Sequence, residues 1–346
     1  MLNAVLVGCG AMSKGWLEAL TDKPLRERVK VVGLVDLDLT AAERRKTEFS
    51  LADAQIGTDL DAMLAATKPD LLFDVAVPAD RRDVVLTGFR HGCHVLTEKP
   101  MAASMAEARE ILAAAKRAGR IHAVVQNRRF IPGVRRIRRL IDTGALGDLT
   151  GLHADFFIGA HFGGFREQMQ NVLLLDMAIH TLDAARFMAN ADPVAVYCVE
   201  TNPKDSWYAH GAAANAIFEM ADGVVFTYRG SWVAEGAVTS WEGGWRVVGT
   251  RGTLLWDGAE RFDAHVVNGD DGFLRPVAEL EVLPAPDDAH IHGHASVIAD
   301  FIDAIAAGRA PETAGEDNIK SLAMVFGAIE SARRHARVPV EIQESR

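Results

Sequence analysis

The chain has 346 residues, of which 49% are hydrophobic and 24% are charged, and its formal net charge at pH 7 is −10. That length accommodates two domains of ordinary size, and the composition is that of a globular protein. The negative balance argues against non-specific binding to nucleic acid or to an anionic membrane. It leaves room for a local basic site that binds an anionic substrate.

The sequence also constrains compartment and metal use. We find no apolar run near the length that crosses a bilayer, and the first strand begins too close to the amino terminus for a signal peptide to precede it. Cys9, Cys93 and Cys198 are scattered without the spacing of a zinc site. These features predict a cytoplasmic protein with reduced cysteines, no membrane partner and no metal.

Residues 1–125 alternate short apolar runs with helix-like stretches. Such alternation indicates βαβ units, and unbroken apolar runs are typical of strands in a parallel sheet that is covered on both faces. The predicted strands are 4–7, 29–35, 71–77, 94–97 and 121–125, and the predicted helices are 11–20, 40–49, 60–66, 80–91 and 104–118. We therefore predict an α/β fold whose amino-terminal domain, residues 1–125, contains a doubly wound parallel sheet.

The pattern changes after about residue 125. Helices are predicted at 128–143, 172–188, 295–307 and 318–335, and strands at 149–158, 213–220, 224–230, 245–249, 253–256 and 338–342. We predict a second α/β domain, residues 126–346, with a large, open and mostly antiparallel sheet. We expect this domain to bind the substrate and, through the exposed sheet, to form a homodimer or homotetramer.

A glycine turn joins the first strand to the first helix and contains Gly8, Gly10 and Ser13. Its spacing is one small residue away from the dinucleotide fingerprint, in which glycines permit a tight turn and close approach of the backbone to a pyrophosphate. The amino end of the following helix attracts phosphate through free N–H groups and its dipole. Asp36 ends the second strand, where a carboxylate that binds ribose is expected.

The cofactor is predicted to be NAD rather than NADP. The carboxylate of Asp36 accepts hydrogen bonds from ribose hydroxyls but repels a 2′-phosphate. Arg44 and Arg45 on the next helix offer an alternative route to NADP, but we expect them to form a solvated helix face.

The strand at 94–97 runs directly into Glu98, Lys99 and Pro100. In doubly wound sheets the ligand crevice lies just beyond the carboxyl ends of the strands. Lys99 is therefore a candidate for contact with both the cofactor and the reacting molecule.

A second reactive segment lies in the predicted helix 172–188. Asp176 and His180 are four residues apart and share one helix face, with Asp183 close to the same stripe. A histidine suits the proton step of an alcohol oxidation, and an aspartate one turn earlier can fix its tautomer. The alternative is that His180 is a buried, hydrogen-bonded core residue.

The chain resembles the Gfo/Idh/MocA family, named after glucose–fructose oxidoreductase and inositol dehydrogenase, over essentially its whole length. The resemblance implies a Rossmann domain followed by an α/β domain with a large open sheet. It is carried by Gly8-Cys9-Gly10-Ala11-Met12, Asp36, Pro78, Glu98-Lys99-Pro100, Asn127-Arg128-Arg129-Phe130, and Asp176 with His180. One departure is Arg82, where many members have a histidine, and we expect this position to be structural.

The resemblance implies hydride transfer between a nicotinamide cofactor and a hydroxyl carbon of a sugar, an inositol or a related polyol. It implies that His180 is the general base, that Lys99 hydrogen-bonds the reacting oxygen, and that Asp176 orients the site or binds a neighbouring hydroxyl. The implied cofactor-binding residues are Gly8, Gly10, Ala11, Met12, Asp36, Pro78, Glu98 and Lys99. An NAD-dependent glycosidase with an internal redox cycle and a non-catalytic nucleotide-binding sensor are the alternatives on this fold.

Three further side chains are candidates for contact with the substrate. The glycine-rich loop 158–166 contains His161 and Arg166, and Arg128 follows the strand at 121–125. These side chains are candidates to bind hydroxyls or a carboxylate. The alternative is that the loop glycines serve backbone freedom and that Arg166 is a surface residue.

Two runs of like residues are assigned no function. The first is a basic run without interleaved aromatic residues, which we interpret as a solvated helix face rather than a nucleic-acid site: Arg135, Arg136, Arg138 and Arg139. The second alternates three histidines without an evident thiolate or carboxylate partner, so we predict no metal there: His290, His292 and His294.

Overall fold

The computed structural model describes residues 1–285 and 290–342. The chain divides into two compact units, Met1–Asn127 with His292–Ile319, and Arg128–Ile291 with Lys320–Arg346. The sequence-based division places all of 126–346 in the second domain, whereas the segment His292–Ile319 packs with the first unit. None of the described helices is both long and apolar enough to cross a membrane.

Strands and helices alternate along the first 127 residues. The strands are β1 (Leu2–Val7), β2 (Val29–Val35), β3 (Gln55–Gly57), β4 (Leu71–Asp74), β5 (His94–Thr97) and β6 (His122–Val124). The helices are α1 (Ser13–Thr21), α2 (Leu39–Glu48), α3 (Leu60–Thr67), α4 (Arg81–Arg90) and α5 (Met105–Ala118). Helix α5 begins where the hydroxyl of Ser104 accepts a hydrogen bond from the N–H of Glu107, and it ends at Gly119 with φ +61°.

Among the described residues, β1 to β6 form one sheet in the order β3-β2-β1-β4-β5-β6, with every pairing parallel. This order confirms the predicted doubly wound sheet, and it brings the carboxyl ends of the strands to one edge. The sequence analysis missed β3, because a three-residue edge strand with only partly buried side chains leaves no apolar run to detect.

The second unit follows in the chain. Its helices are α6 (Pro132–Asp142) and α7 (Ile179–Ala189). Its strands are β7 (Leu149–Phe157), β8 (Pro193–Thr201), β9 (Ala213–Met220), β10 (Val225–Ser231), β11 (Gly244–Gly249), β12 (Gly252–Trp256), β13 (Phe262–Val267) and β14 (Val277–Glu279). The chain then continues with α8 (His294–Ala307), which belongs to the first unit, followed by α9 (Gly315–Arg334) and β15 (Val338–Pro339).

Within the described ranges, the second sheet has the order β14-β13-β12-β11-β7-β10-β9-β8-β15. Only β7 and β10 pair in parallel there, so the predicted, mostly antiparallel sheet is confirmed. From Ala214 onward, side chains along β9 alternate between buried and exposed, as expected of a sheet with one face in the core. The opposite face exposes apolar side chains, namely Tyr197, Val199, Ile217 and Val225.

The returning segment His292–Ile319 completes the first unit. Helix α8 packs beside α1, and the guanidinium of Arg28 lies 2.5 Å from the carboxylate of Asp303. The N–H of Val124 in β6 donates to the carbonyl of Thr313 over 3.0 Å. An edge strand of the first sheet therefore finds a backbone partner close to the other end of the chain.

The basic run of α6 is not the solvated face that the sequence suggested. The guanidinium of Arg135 lies 4.6 Å from the ring centroid of Phe130, and that of Arg136 lies 4.0 Å from the ring of Phe262. Stacking of a guanidinium on an aromatic ring is a favourable packing contact. The run is thus used at least in part for packing inside the second unit.

An ion pair is buried at the carboxyl end of β4. Asp74 is fully buried and Arg81 is 1% exposed, and the Nε atom of Arg81 donates to the Asp74 carboxylate over 3.0 Å. The remaining guanidinium nitrogens donate to the carbonyls of Pro100 and Ala76, each over 2.6 Å. Burial raises the pKa of Asp74, while the charge of Arg81 and the hydroxyl of Thr97 oppose that shift. One arginine thus connects three chain segments at the edge where β4 and β5 end.

Replacing Arg81 should destabilise the protein far more than replacing its sequence neighbour. The substitution Arg81→Met leaves a buried carboxylate without its counter-charge, and we expect the free energy of unfolding to fall by about 3–5 kcal/mol. Arg82 pairs with Glu110 at the surface, so Arg82→Met should cost less than about 1 kcal/mol. Urea denaturation at pH 7 measures both values, and similar losses in the two variants would contradict the assigned role of the buried pair.

Candidate functional site

The glycine turn after β1 has the shape that a pyrophosphate requires. Gly8 has φ +91°, and a Cβ atom there would lie 2.5 Å from the carbonyl oxygen of Val75, so only glycine fits. A Cβ atom on Gly10 would meet nothing within 4 Å. Gly10, Ala11 and Met12 are exposed. The backbone of the turn is therefore open on the side where a phosphate can approach it.

Asp36 lies beside this turn at the end of β2. One carboxylate oxygen accepts a hydrogen bond from the N–H of Cys9 over 2.6 Å, and the other accepts one from the N–H of Asp38 over 2.9 Å. These bonds fix the carboxylate, which remains half-exposed. An acceptor held in this place fits the ribose of a dinucleotide, so the turn and Asp36 together fit NAD.

Arg45 is not part of a solvated face. It is 7% exposed, and its Nη2 atom donates to the carbonyl of Gly10 over 2.8 Å. Its Nε atom donates to the hydroxyl of Ser13 over 2.9 Å, and Nη1 pairs with Glu48. The expectation for Arg45 is therefore wrong, because the helix turns this side chain toward the glycine turn rather than toward water. Arg44 is exposed, as expected.

Glu98 points into the first unit. It is 5% exposed, and its carboxylate accepts hydrogen bonds from the indole N–H of Trp16 over 2.8 Å and from the N–H of Lys99 over 3.1 Å. The Nε2 atom of His294 lies 3.5 Å from the same carboxylate. Burial raises the pKa of Glu98, but His294, Trp16 and Lys99 outweigh it and hold this pKa below its ordinary range.

The geometry gives Glu98 a clear internal role, while its contact with the cofactor stays a prediction. Lys99 follows it, half-buried, at the end of β5, and Pro78 is half-buried after β4. His294 is engaged with Glu98, and its Nδ1 atom lies 3.3 Å from the side-chain amide of Asn127. In the part of the chain that the structure describes, no group of three or more histidine, cysteine, aspartate or glutamate side chains is arranged to hold a metal.

In the second unit, the segment that carries Asp176 differs from the predicted helix. Residues Leu173–Ala178 form a π-helical turn, and the α-helix begins only at Ile179. A wider turn changes the angular offset between residues four apart, so the α-helical spacing assumed for Asp176 and His180 does not apply there. Both side chains are nevertheless half-buried, whereas the residues between them are buried. Widened turns of this type occur often at functional sites.

Arg166 and Asp176 form an ion pair, with the guanidinium Nε 3.0 Å from the carboxylate. The guanidinium also lies 5.1 Å from the ring centroids of both Phe162 and Phe165. The predicted substrate loop therefore does reach Asp176. His161 of the same loop stacks on Trp207, with ring centroids 3.7 Å apart.

Arg128 forms an ion pair with Glu242. Burial lowers the pKa of Arg128 to about 10. The two residues line one recess of the second unit together with His180, Met177 and Trp241. The sequence analysis missed Glu242, because a lone glutamate in a loop carries no pattern that connects it to a histidine on a distant helix.

Asp183 has a structural role. Its carboxylate accepts two hydrogen bonds from Arg129, each of 2.7 Å, and a third of 2.6 Å from the hydroxyl of Ser321. Asp183 is fully buried and Arg129 is nearly so. Helix α7 is thereby anchored one turn beyond His180, and Asp183 is not a member of the reactive face.

Two glycine substitutions should separate folding from cofactor binding. Gly8→Ala forces a side chain into a left-handed conformation and against the Val75 carbonyl, so the free energy of unfolding should fall by more than about 1–2 kcal/mol. Gly10→Ala meets open space, so stability should be unchanged while the Kd for NAD rises at least about tenfold. Thermal melting and calorimetric titration with NAD measure the two effects. Unaltered NAD binding in Gly10→Ala would place the pyrophosphate elsewhere.

Comparison with known proteins gives relatives that share the whole chain. The chain is 26% identical over 350 residues to D-apiose dehydrogenase from Paraburkholderia graminis, covering 99% of this chain and 91% of that protein. It is 26% identical to 1,5-anhydro-D-fructose reductase from Ensifer adhaerens, covering 97% and 98% of the two chains. Among solved structures, an oxidoreductase from Agrobacterium radiobacter in complex with NAD+, L-tartaric acid and magnesium superposes with a TM-score of 0.85 at 20% identity, covering 98% of each chain.

Two family models match the two parts of the sequence. The oxidoreductase family with an NAD-binding Rossmann fold matches residues 2–126, and the GFO/IDH/MocA C-terminal domain matches residues 134–255. The first match covers the glycine turn, Asp36 and Lys99, and the second covers the segment with Asp176 and His180. The chain therefore belongs to the Gfo/Idh/MocA family of NAD-dependent oxidoreductases.

Proposed function

We propose that this protein transfers a hydride between NAD and a hydroxyl carbon of a neutral sugar or polyol. The observation that carries the proposal is the position of His180, which is half-buried near the start of α7 and has the internally neutralised Arg128–Glu242 pair among its neighbours. The relatives named above support the class of substrate, since two of them are named for the sugars D-apiose and 1,5-anhydro-D-fructose.

The residues divide the chemistry of an alcohol oxidation between them. Bound NAD supplies the acceptor for the hydride that leaves the carbon. His180 takes the hydroxyl proton, for which an imidazole has a suitable proton affinity near neutral pH. Lys99 donates a hydrogen bond to the reacting oxygen and favours its alkoxide character. Asp176, fixed by Arg166, binds a neighbouring hydroxyl or orients the site.

Charge pairing favours a neutral substrate over a sugar acid. Of the cationic side chains that the sequence nominates as carboxylate ligands, Arg128 is paired with Glu242 and Arg166 with Asp176. A substrate carboxylate would have to displace one of these internal anions, at the cost of leaving it without its partner. Sugar hydroxyls can instead share the existing donors and acceptors, and exposed rings such as Phe162 and Phe165 offer apolar faces for a pyranose.

The open face of the second sheet supports a homo-oligomer. Tyr197, Val199, Ile217 and Val225 are all exposed on neighbouring strands β8, β9 and β10. Several exposed apolar side chains on neighbouring strands are typical of an interaction surface, and we propose that a second copy of the chain covers this face. The predicted assembly is a homodimer or a homotetramer.

The function is tested by following NADH absorbance with NAD and a panel of inositols, aldoses and anhydrosugars, each paired where possible with the corresponding sugar acid. We expect reduction of NAD with at least one neutral compound, with a kcat/KM at least about tenfold above that of its acid, because the two arginines that the sequence nominates as carboxylate ligands are already paired with carboxylates. A preference for the acid would overturn the substrate class.

Variants test the assigned roles with the same substrate. Lys99→Met and His180→Ala should each lower kcat by about 10²–10⁴-fold while NAD binding stays within a few-fold of wild type. His265→Ala replaces an exposed histidine of β13 and should leave the rate unchanged. Full activity in both reactive-site variants would refute the roles. Release of an aglycone without net NADH would indicate a glycosidase, and NAD binding without turnover of any compound would indicate a sensor.

A further inference from the structure

Arg45 offers an inference that does not depend on the substrate. It lies on α2, outside the residues of the dinucleotide fingerprint, yet it is almost fully buried against the glycine turn. Burying a guanidinium is costly unless its donors are satisfied, and here each of its three nitrogens has a partner. Two of those partners, Gly10 and Ser13, belong to the turn itself.

Ser13 completes a closed set of hydrogen bonds with Arg45. Its hydroxyl donates to the carbonyl of Gly10 over 2.7 Å and accepts from the Nε atom of Arg45. The carbonyl of Gly10 consequently receives two donors, one from each side chain. In the dinucleotide fingerprint the third glycine serves close packing of helix against strand. Here Ser13, fully buried, replaces that steric role with a polar link to Arg45.

The link determines which way one peptide faces. The peptide between Gly10 and Ala11 is planar, so its N–H points opposite to its carbonyl. Because the Gly10 carbonyl is held toward Arg45 and Ser13, the N–H of Ala11 is directed away from them. Gly10 and Ala11 are exposed, and the space beside Gly10 is open. A backbone donor is thus presented on the side of the turn where a phosphate can approach.

We propose that Arg45, acting through Ser13 and Gly10, is a positioning residue for the pyrophosphate of the cofactor. It orients the Gly10–Ala11 peptide, and its fixed positive charge beside the turn adds a favourable potential for the phosphate oxygens. Glu48, which shares the guanidinium, is partly exposed, so water screens its opposing charge. We therefore expect the arrangement to leave binding of the adenosine end of the cofactor unaffected.

The test measures binding to the unliganded protein by calorimetry, with NAD, ADP-ribose and ADP as ligands that carry a pyrophosphate and adenosine as one that does not. Arg45→Met should raise the Kd of the three pyrophosphate ligands by about 10–30-fold and that of adenosine by less than about twofold. Arg45→Lys keeps the charge but not the forked donors, and it should fall between wild type and Arg45→Met. Arg44→Met, on the exposed neighbour, is the matched control and should bind all four ligands like wild type.

Ser13→Ala keeps the test decisive if Arg45→Met does not fold. This variant retains the bond from Arg45 to the Gly10 carbonyl but loses the hydroxyl link, and it should weaken pyrophosphate binding about three- to tenfold without affecting adenosine. Equal losses for ADP and adenosine would show that Arg45 only stabilises the fold. Unchanged pyrophosphate binding in Arg45→Met, or in Ser13→Ala where Arg45→Met is unfolded, would also overturn the proposal. Turnover is not measured, so the outcome is independent of the proposed reaction.

Discussion

The buried ion pair between Asp74 and Arg81 is the constraint that positions the edge of the first sheet where the candidate residue Lys99 lies. Arg81 reaches the carboxylate at the end of β4, the carbonyl of Ala76 and the carbonyl of Pro100. Lys99 immediately precedes Pro100, so the backbone that carries the lysine is held in place from inside the unit. A buried ion pair is weak evidence for high stability as such. It nevertheless fixes the segments that it joins, because moving one of them would leave a buried N–H donor without an acceptor, which is costly.

In the second unit, a buried ion pair likewise fixes the helix that carries the candidate residue His180. Arg129 donates two parallel hydrogen bonds to the carboxylate of Asp183, and the hydroxyl of Ser321 donates a third. Paired bonds of this type restrict orientation as well as distance. His180 lies one helical turn before Asp183, so the helix that presents it is held at a defined rotation. In each unit, a buried ion pair between an arginine and a carboxylate thus fixes the backbone near the residue to which we assign chemistry, Lys99 in the first unit and His180 in the second.

Local patterns made most of the architecture predictable. The apolar runs of β1, β2, β4 and β5 and the glycine turn are signals contained in a few consecutive residues, and the structure has them where the sequence places them. The short edge strand β3 was missed because it has no apolar run, and the other predictions that failed concern features without a local signal in the sequence. From the sequence, Arg45 is expected to be a solvent-exposed charge on a polar helix, because no residue close to it in the sequence indicates that Ser13 and Gly10 are its partners. The π-helical turn at Asp176 carries no compositional mark either, since its residues are ordinary helix formers.

The same limit explains what the sequence indicated about the candidate site. Motif spacing nominated the glycine turn and the residues Asp36, Lys99, Asp176 and His180 as candidates, because those signals are local. It did not show that Arg128 and Arg166 are each paired with a carboxylate, and this pairing is why we propose a neutral sugar or polyol rather than a sugar acid. The pairing partner Glu242 lies more than a hundred residues beyond Arg128 in the chain.

The discontinuity of the first unit has a consequence for how the protein is made. Glu98 contacts His294, and the backbone of β6 contacts Thr313, so neither contact can form before residues beyond the central part of the second unit have been translated. Domains ordinarily fold from the amino terminus as synthesis proceeds. Here the nucleotide-binding half emerges first but finishes late, after the whole central part of the second unit has been translated. During that interval the edge of its sheet lacks a covering segment, and a nascent chain stalled in the second half would carry it exposed.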